Sequence, residues 1–222
     1  AMTRQIAGAP QEWAQFLTMA ARLYKYPYHE QLLIYAQRPD ATACAGYDLW
    51  NNTMHRYVRR GSKGIALLSP TAQGVQLRYV FDVADTGRGR DAREPFLWSL
   101  DGESIPAVQS ALAEAYDESA GTSISEQLHQ AAQQVTENYF AEHAQELSDI
   151  LAESSATSYD EDALRGLAAE SISYMLASRC GLQPEVPAFT GLAPLAGHPK
   201  VIEALGVAVS TGSEQVLRQI ER

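Results

Sequence analysis

The sequence predicts an α+β chain, and three observations carry that prediction. Apolar residues recur at helical spacing near the start and throughout the second half; two short runs between them have strand character; and turn residues separate those runs. Pro10 suits the first turn of a helix, and Trp13, Phe16, Leu17, Ala20, Ala21 and Tyr24 follow three and four residues apart up to Pro27. A second helix runs from about Tyr28 to Gln37, closed by Pro39. Ile65 to Leu68 reads as a buried strand ended by Pro70, and Gln76 to Val83 alternates well enough to pair with it across a turn at Gly74. Thr86 to Arg93 is a polar loop, and Phe96 to Leu100 is expected as a third, short strand.

From Ser104 onward the pattern is helical. Helices are expected from Ser104 to Tyr116, from a Ser125 cap through Leu128, Val135, Tyr139 and Leu147 to about Glu153, and from an Asp160 cap to a stop at Gly181. Two more cover about His198 to Val209 and Ser213 to Ile220. Two domains are expected, 1–102 and 103–222.

Charge divides the chain along nearly the same line. Residues 1–93 hold 12 Lys+Arg against 7 Asp+Glu, a net of +5, while residues 94–222 hold 5 against 20, a net of −15. The overall −10 therefore conceals a basic front half, which is the half suited to a polyanion. No run reaches the 18 or so apolar residues that a membrane span needs, and no signal segment opens the chain, so a cytoplasmic protein without a membrane partner is expected. Cys44 and Cys180 lack metal-site spacing and read as thiols in a reducing compartment. Ala1 before Met2 reads as an expression remnant. Helical spacing that persists to Ile220 suggests a piece of a longer protein with further domains.

The basic half concentrates its chemistry between Tyr47 and Pro70, YDLWNNTMHRYVRRGSKGIALLSP. Arg56, Arg59, Arg60 and Lys63 can each neutralise a phosphate, and Trp50 and Tyr57 offer flat faces for unpaired bases. Gly61 and Gly64 allow backbone amides to turn toward an anion. The same aromatics can equally be core residues and the arginines a solvated face. Lys25 and Tyr26 at the first helix junction either extend that surface or simply pack the junction. Arg78 on the second strand and Arg88 and Arg90 in the polar loop complete the candidate set, the loop either ordering on a phosphate backbone or serving as a linker.

Other chemistry is mostly missing. Glu126 and His129, three apart, form only half of a carboxylate-bundle metal site. His29 and Glu30 begin a zinc-protease helix motif that fails at Leu33, where the second histidine belongs. Gly61 to Gly64 has the outline of a KH-domain loop, but a strand follows it instead of a helix. No Walker A motif, dinucleotide fingerprint or nucleophile elbow is present. No cofactor, metal or catalytic residue is expected.

Taken together, Trp13 with the first helix, Tyr26 followed by QLLIYAQRPDA, Tyr47, Trp50, Tyr57, Val58, the RRGSKGI run and VFDVADT from Val80 to Thr86 resemble a known domain. It is the N-terminal single-strand-DNA-binding domain of ArdC-type antirestriction proteins, also found at the start of large proteins of conjugative elements. The resemblance covers roughly residues 12–86, and the family carries a serine and an asparagine where this chain has Pro27 and Glu30. It implies binding of single-stranded DNA, with arginine and lysine on phosphates and Trp50, Tyr57 and Tyr26 stacking on bases. The family continues into a zincin-like metallopeptidase domain. LAAESISYMLASRCGL, with Glu170, is similar to a later helix of that domain, although the HExxH helix is absent. That similarity implies a degenerate, metal-free remnant. Two other readings stand beside this one: a protein-interaction module whose acidic helices dock a partner, and a metallopeptidase with an unrecognised ligand set.

Overall fold

The computed structural model describes residues 2–71, 74–116, 123–154 and 161–221. Three helices open the chain, α1 (Met2–Ile6), α2 (Pro10–Arg22) and α3 (Tyr28–Gln37). Five short strands follow: β1 (Cys44–Gly46), β2 (Arg56–Val58), β3 (Ile65–Thr71), β4 (Gly74–Asp82) and β5 (Thr86–Arg88). The described remainder is helical: α4 (Ile105–Tyr116), α5 (Ile124–Glu142), α6 (Ala144–Glu153), α7 (Glu161–Arg179), α8 (Leu192–Leu195) and α9 (Pro199–Ile220). This is the expected α+β class.

Helix α2 begins at Pro10, where the missing N–H costs no intrahelical bond, and buries Trp13, Phe16, Leu17 and Ala20 together with Ala14, Met19 and Ala21. So wide an apolar face needs cover on two sides. It packs against α3 on one side and α7 on the other, and the Trp13 indole N–H donates to Ser171 Oγ on α7 at 2.9 Å, with both residues buried. Helix α3 packs on α9 as well as on β3. Continuous packing therefore crosses the boundary expected at 102, and one hydrophobic cluster runs from Ile6 to Leu217.

Several second-half boundaries differ from the sequence expectation. Helix α5 is capped by Ser123, not Ser125, in a reciprocal box with Glu126. The long helix expected to reach Glu153 breaks at His143, whose ring stacks on Tyr139 at 4.1 Å, and α6 continues against α9. The Asp160 cap lies outside the described residues. At the far end of α7, Leu182 N–H donates to Ala177 O and Gly181 adopts φ +76°, a Schellman closure. The last two expected helices are one, because Gly206 and Gly212 are not breaks but contact points. A Cβ on Gly206 would overlap the Tyr28 ring, and one on Gly212 would sit 2.7 Å from Ile172 Cδ1.

The sheet region forms two small antiparallel sheets, β1-β4-β3 and β2-β5. Strand β3 continues through Pro70, which pairs in register with Val75; an edge strand tolerates a residue that has no N–H to donate. Part of the expected polar loop is strand β5. No strand forms at 96–100. That backbone is committed elsewhere: the Arg179 guanidinium donates to the Trp98 carbonyl and lies 3.8 Å from the centre of the Trp98 ring. Among the described residues no helix is long and apolar enough to cross a membrane.

Two glycines on helices should respond in opposite senses to alanine. Gly206→Ala forces the Tyr28 contact apart and is expected to cost about 1–3 kcal/mol in urea unfolding. Gly166→Ala in α7 meets no atom within 4 Å and is expected to stabilise by roughly 0.5–1 kcal/mol.

Candidate nucleic-acid interface

The corner beyond β4 is organised by one buried carboxylate. Asp82, 1% exposed, accepts the Thr42 N–H at 2.6 Å, the Ala43 N–H at 3.1 Å and the Ala84 N–H at 2.8 Å. These bonds fix the entry to β1 and the tight turn Val83–Asp85. The turn in turn holds the next loop: Asp85 O accepts Arg59 N–H at 2.9 Å and the Ser62 hydroxyl at 3.3 Å, and Ala84 O accepts the Arg59 guanidinium at 2.8 Å. Asp85 Oδ2 is occupied by Arg38 at 2.8 Å, so it does not neutralise the loop. Gly61, at φ +91°, makes the reversal that a side chain would resist.

This scaffold leaves Arg59, Arg60 and Lys63 exposed, and none of them forms an ion pair among the described residues. Tyr57 lies two residues upstream on β2, opposite Gly87 of β5, and is 54% exposed. A Cβ on Gly87 would overlap its ring, so the ring rests on bare backbone and turns its other face outward. Past β5, Arg90 is exposed beside Asn51, His55 and Tyr57 in a shallow depression. The Gly89 N–H donates to His55 O at 3.0 Å, and His55 itself takes a left-handed φ of 50° to turn the chain into β2.

Six of the sequence candidates are placed otherwise. Trp50 is not a base platform: it is 2% exposed in a single π-helical turn, and its indole N–H donates to Phe81 O at 2.9 Å. Arg56 is 6% exposed, bonded to Thr86 Oγ1 and paired with Glu94 at 3.0 Å, and exposed Arg88 shares the same Glu94 at 2.7 Å. Arg78 faces the helices and pairs with Glu30 at 2.6 Å. The Tyr26 hydroxyl donates to Cys44 O at 2.7 Å, and burial pushes its pKa up to about 12. Lys25 pairs with Glu221 at 2.7 Å, linking the start of the chain to the end of α9. Each of these cations is compensated by a carboxylate, and for Lys25, Arg56 and Arg78 that carboxylate lies far away in the linear sequence.

Residues that the sequence reading passed over join the surface instead. Tyr47, 56% exposed, meets Phe81 edge-on at 6.5 Å, and Tyr79, 54% exposed, lies next to Phe81 on the same outward row of β4. The alternation of Tyr79 and Phe81 was legible; which face of the strand met the helices was not.

In the second half, the Glu126 carboxylate closes the Ser123 cap, and His129 contacts Ser173 and Gln133. Glu170 accepts the Phe189 backbone N–H, while burial raises its pKa above the usual carboxylate range. No group of three or more His, Cys, Asp and Glu side chains placed to hold a metal ion occurs among the described residues. No protein-family model matches the chain, and no significant match is found among curated proteins or solved structures.

Asp82→Ala leaves three amides without their acceptor and is expected to cost about 3 kcal/mol or more in chemical denaturation. Glu221 is lowered below its ordinary 4.5: burial opposes its charge, but the hydrogen bonds from Lys25 and Tyr24 outweigh that. A depressed carboxylate contributes stability above the unfolded value and loses it as pH falls through the folded value. Glu221→Gln should therefore cost roughly 0.5–1 kcal/mol at neutral pH, and the difference from wild type should shrink as pH falls below the ordinary carboxylate range, measured as unfolding free energy against pH.

Proposed function

We propose that the chain is a single-stranded-DNA-binding module of a mobile-element protein, conjugative or antirestriction. The observation that carries this reading is the set of exposed cations that form no ion pair among the described residues, Arg59, Arg60 and Lys63 on the loop that follows Tyr57 and Arg90 in the depression beside it. Most other cations of the basic half are spent on carboxylates: Lys25 on Glu221, Arg38 on Asp85, Arg56 and Arg88 on Glu94, and Arg78 on Glu30. A cluster left bare in a chain of net charge −10 is suited to an anion brought from outside.

Guanidinium and ammonium groups take phosphate oxygens, and a ring with one face open takes a base that is not already stacked in a duplex. The resemblance of residues 12–86 to the ArdC-type domain supports the mobile-element setting. The acidic second half does not forbid binding, because at physiological salt charges farther than about 8 Å away are largely screened.

Binding to a short oligo(dT), followed by fluorescence anisotropy across a salt series, tests the reading. With three or four phosphates neutralised, log affinity should fall against log salt with a slope of roughly −2 to −3. Replacing Arg59, Arg60 and Lys63 together by alanine should flatten that slope. Tyr57→Ala should cost about 1–3 kcal/mol at every salt concentration, since stacking releases no counterions. Duplex of the same length should bind more weakly; equal or stronger duplex binding removes the stacking model, and no binding to either at low salt leaves the protein-interaction module as the better reading.

A further inference from the structure

Besides the buried face that carries Ile65, Leu67 and Val80, the sheet β1-β4-β3 has a second apolar face, which is exposed. Along β4, Arg78, Val80 and Asp82 lie on the face that carries Ile65 and Leu67, whereas Val75, Leu77, Tyr79 and Phe81 lie on the other. Leu68 pairs in register with Leu77, and Ala66 with Tyr79, on the same outward face. Val75 is 68% exposed, Leu77 60% and Leu68 46%, and neither β3 nor β4 contributes a charged side chain to this side. A contiguous exposed apolar face of this kind marks an interaction site.

At its inner end the face becomes aromatic. Tyr47, Phe81 and Tyr79 form a row: the Tyr47 and Phe81 ring centres are 6.5 Å apart, and Phe81 and Tyr79 are neighbours on one side of a strand, about 6.7 Å apart along it. The row abuts the cationic loop directly. A Cβ on Gly64, the residue after Lys63, would lie 3.1 Å from Tyr79 and 3.2 Å from Phe81, so the loop backbone lies against both rings. We infer that Tyr79 and Tyr47, set around Phe81, are a second base-stacking platform, onto which a single strand held by Arg59, Arg60 and Lys63 continues. This rests on the proposed DNA-binding reading and names where further bases go.

Charge favours a nucleic acid over a second copy of the chain as the occupant. Two-fold pairing through this face would set like surfaces together, and this side of β3 and β4 carries no carboxylate to answer the bare cations of the copy. A polyanion is instead drawn to the same cations, and its bases meet rings without competing charge.

Oligo(dT) carrying 5-iodouracil, photo-crosslinked to the full chain and mapped by mass spectrometry, locates the bases directly. Crosslinks at Tyr79 or Tyr47 are expected. Tyr79→Ala should weaken single-strand binding by about 5- to 100-fold at every salt concentration, and Tyr79→Trp should preserve it, with an unchanged thermal melt by circular dichroism in both variants. If the wild type binds and Tyr57→Ala weakens it, but Tyr79→Ala does not and crosslinks stay on β2, the platform is overturned while the DNA-binding reading stands. If the wild type binds no single strand, both fall. A dimer in sedimentation that Leu77→Glu dissociates, with DNA affinity unchanged, also overturns the platform and assigns the face to a second copy. Should Tyr79→Ala fail to fold, the wild-type crosslink map decides.

Discussion

The Asp82 carboxylate holds the sheet corner together, and the candidate surface depends on it. It sits at the end of β4 with almost no exposure and collects backbone N–H groups from both sides of the strand, the approach to β1 and the turn after β4. Buried amides need an acceptor, and a carboxylate that satisfies three of them converts a desolvation cost into a rigid joint. Trp50 pins the π-helical turn to the adjacent Phe81 carbonyl, and Tyr26 bonds to Cys44 O within the same corner. The Cys44 thiol there is pushed up to about 12, by burial first and then by Asp82, so it stays protonated. Because the turn at Val83–Asp85 is fixed, the loop carrying Arg59 and Ser62 is fixed too, through backbone carbonyls that leave its charge intact.

Ion pairing then sorts the cations of the basic half into two classes. Lys25, Arg38, Arg56, Arg78 and Arg88 meet carboxylates, with Glu94 serving both Arg56 and Arg88. Those on the loop after β2, and Arg90 past β5, form no ion pair among the described residues. Pairing lowers the field of the first class and leaves the second as the positive feature of this surface, which is why a chain with an acidic total can present a cationic site.

The opposite charges of the two halves do not separate them physically. Trp13 reaches Ser171, and Tyr24 and Lys25 both reach Glu221, so the helices of the acidic half form the other wall of the core on which α2 and α3 rest. Glycines at the closest approaches, Gly206 under Tyr28 and Gly212 against Ile172, let α9 lie near its neighbours. The sheet region is thereby carried on a rigid helical base.

The sequence by itself determined the α+β class, the start of α2 at Pro10, the helices α3, α4 and α7 to within a residue or two, the β3–β4 pair, and the loop from Arg59 to Lys63 as a cationic turn, because periodicity, proline and glycine act locally. It offered Trp50 and Tyr57 alike as base platforms or as core residues, and nothing local distinguished the two. Only the tertiary structure decided that. Trp50 found a carbonyl and a buried seat at the corner, whereas Tyr57 found Gly87, which has no side chain to cover it. The continuity of α9 through two glycines, the loss of a strand at Trp98 to Arg179, the pairing of Arg78 with Glu30 and of Lys25 with Glu221, and the outward turn of Tyr79 all depend on partners remote in the chain. Local spacing fixes which residues share a face; which face meets the core is settled only when the other elements arrive.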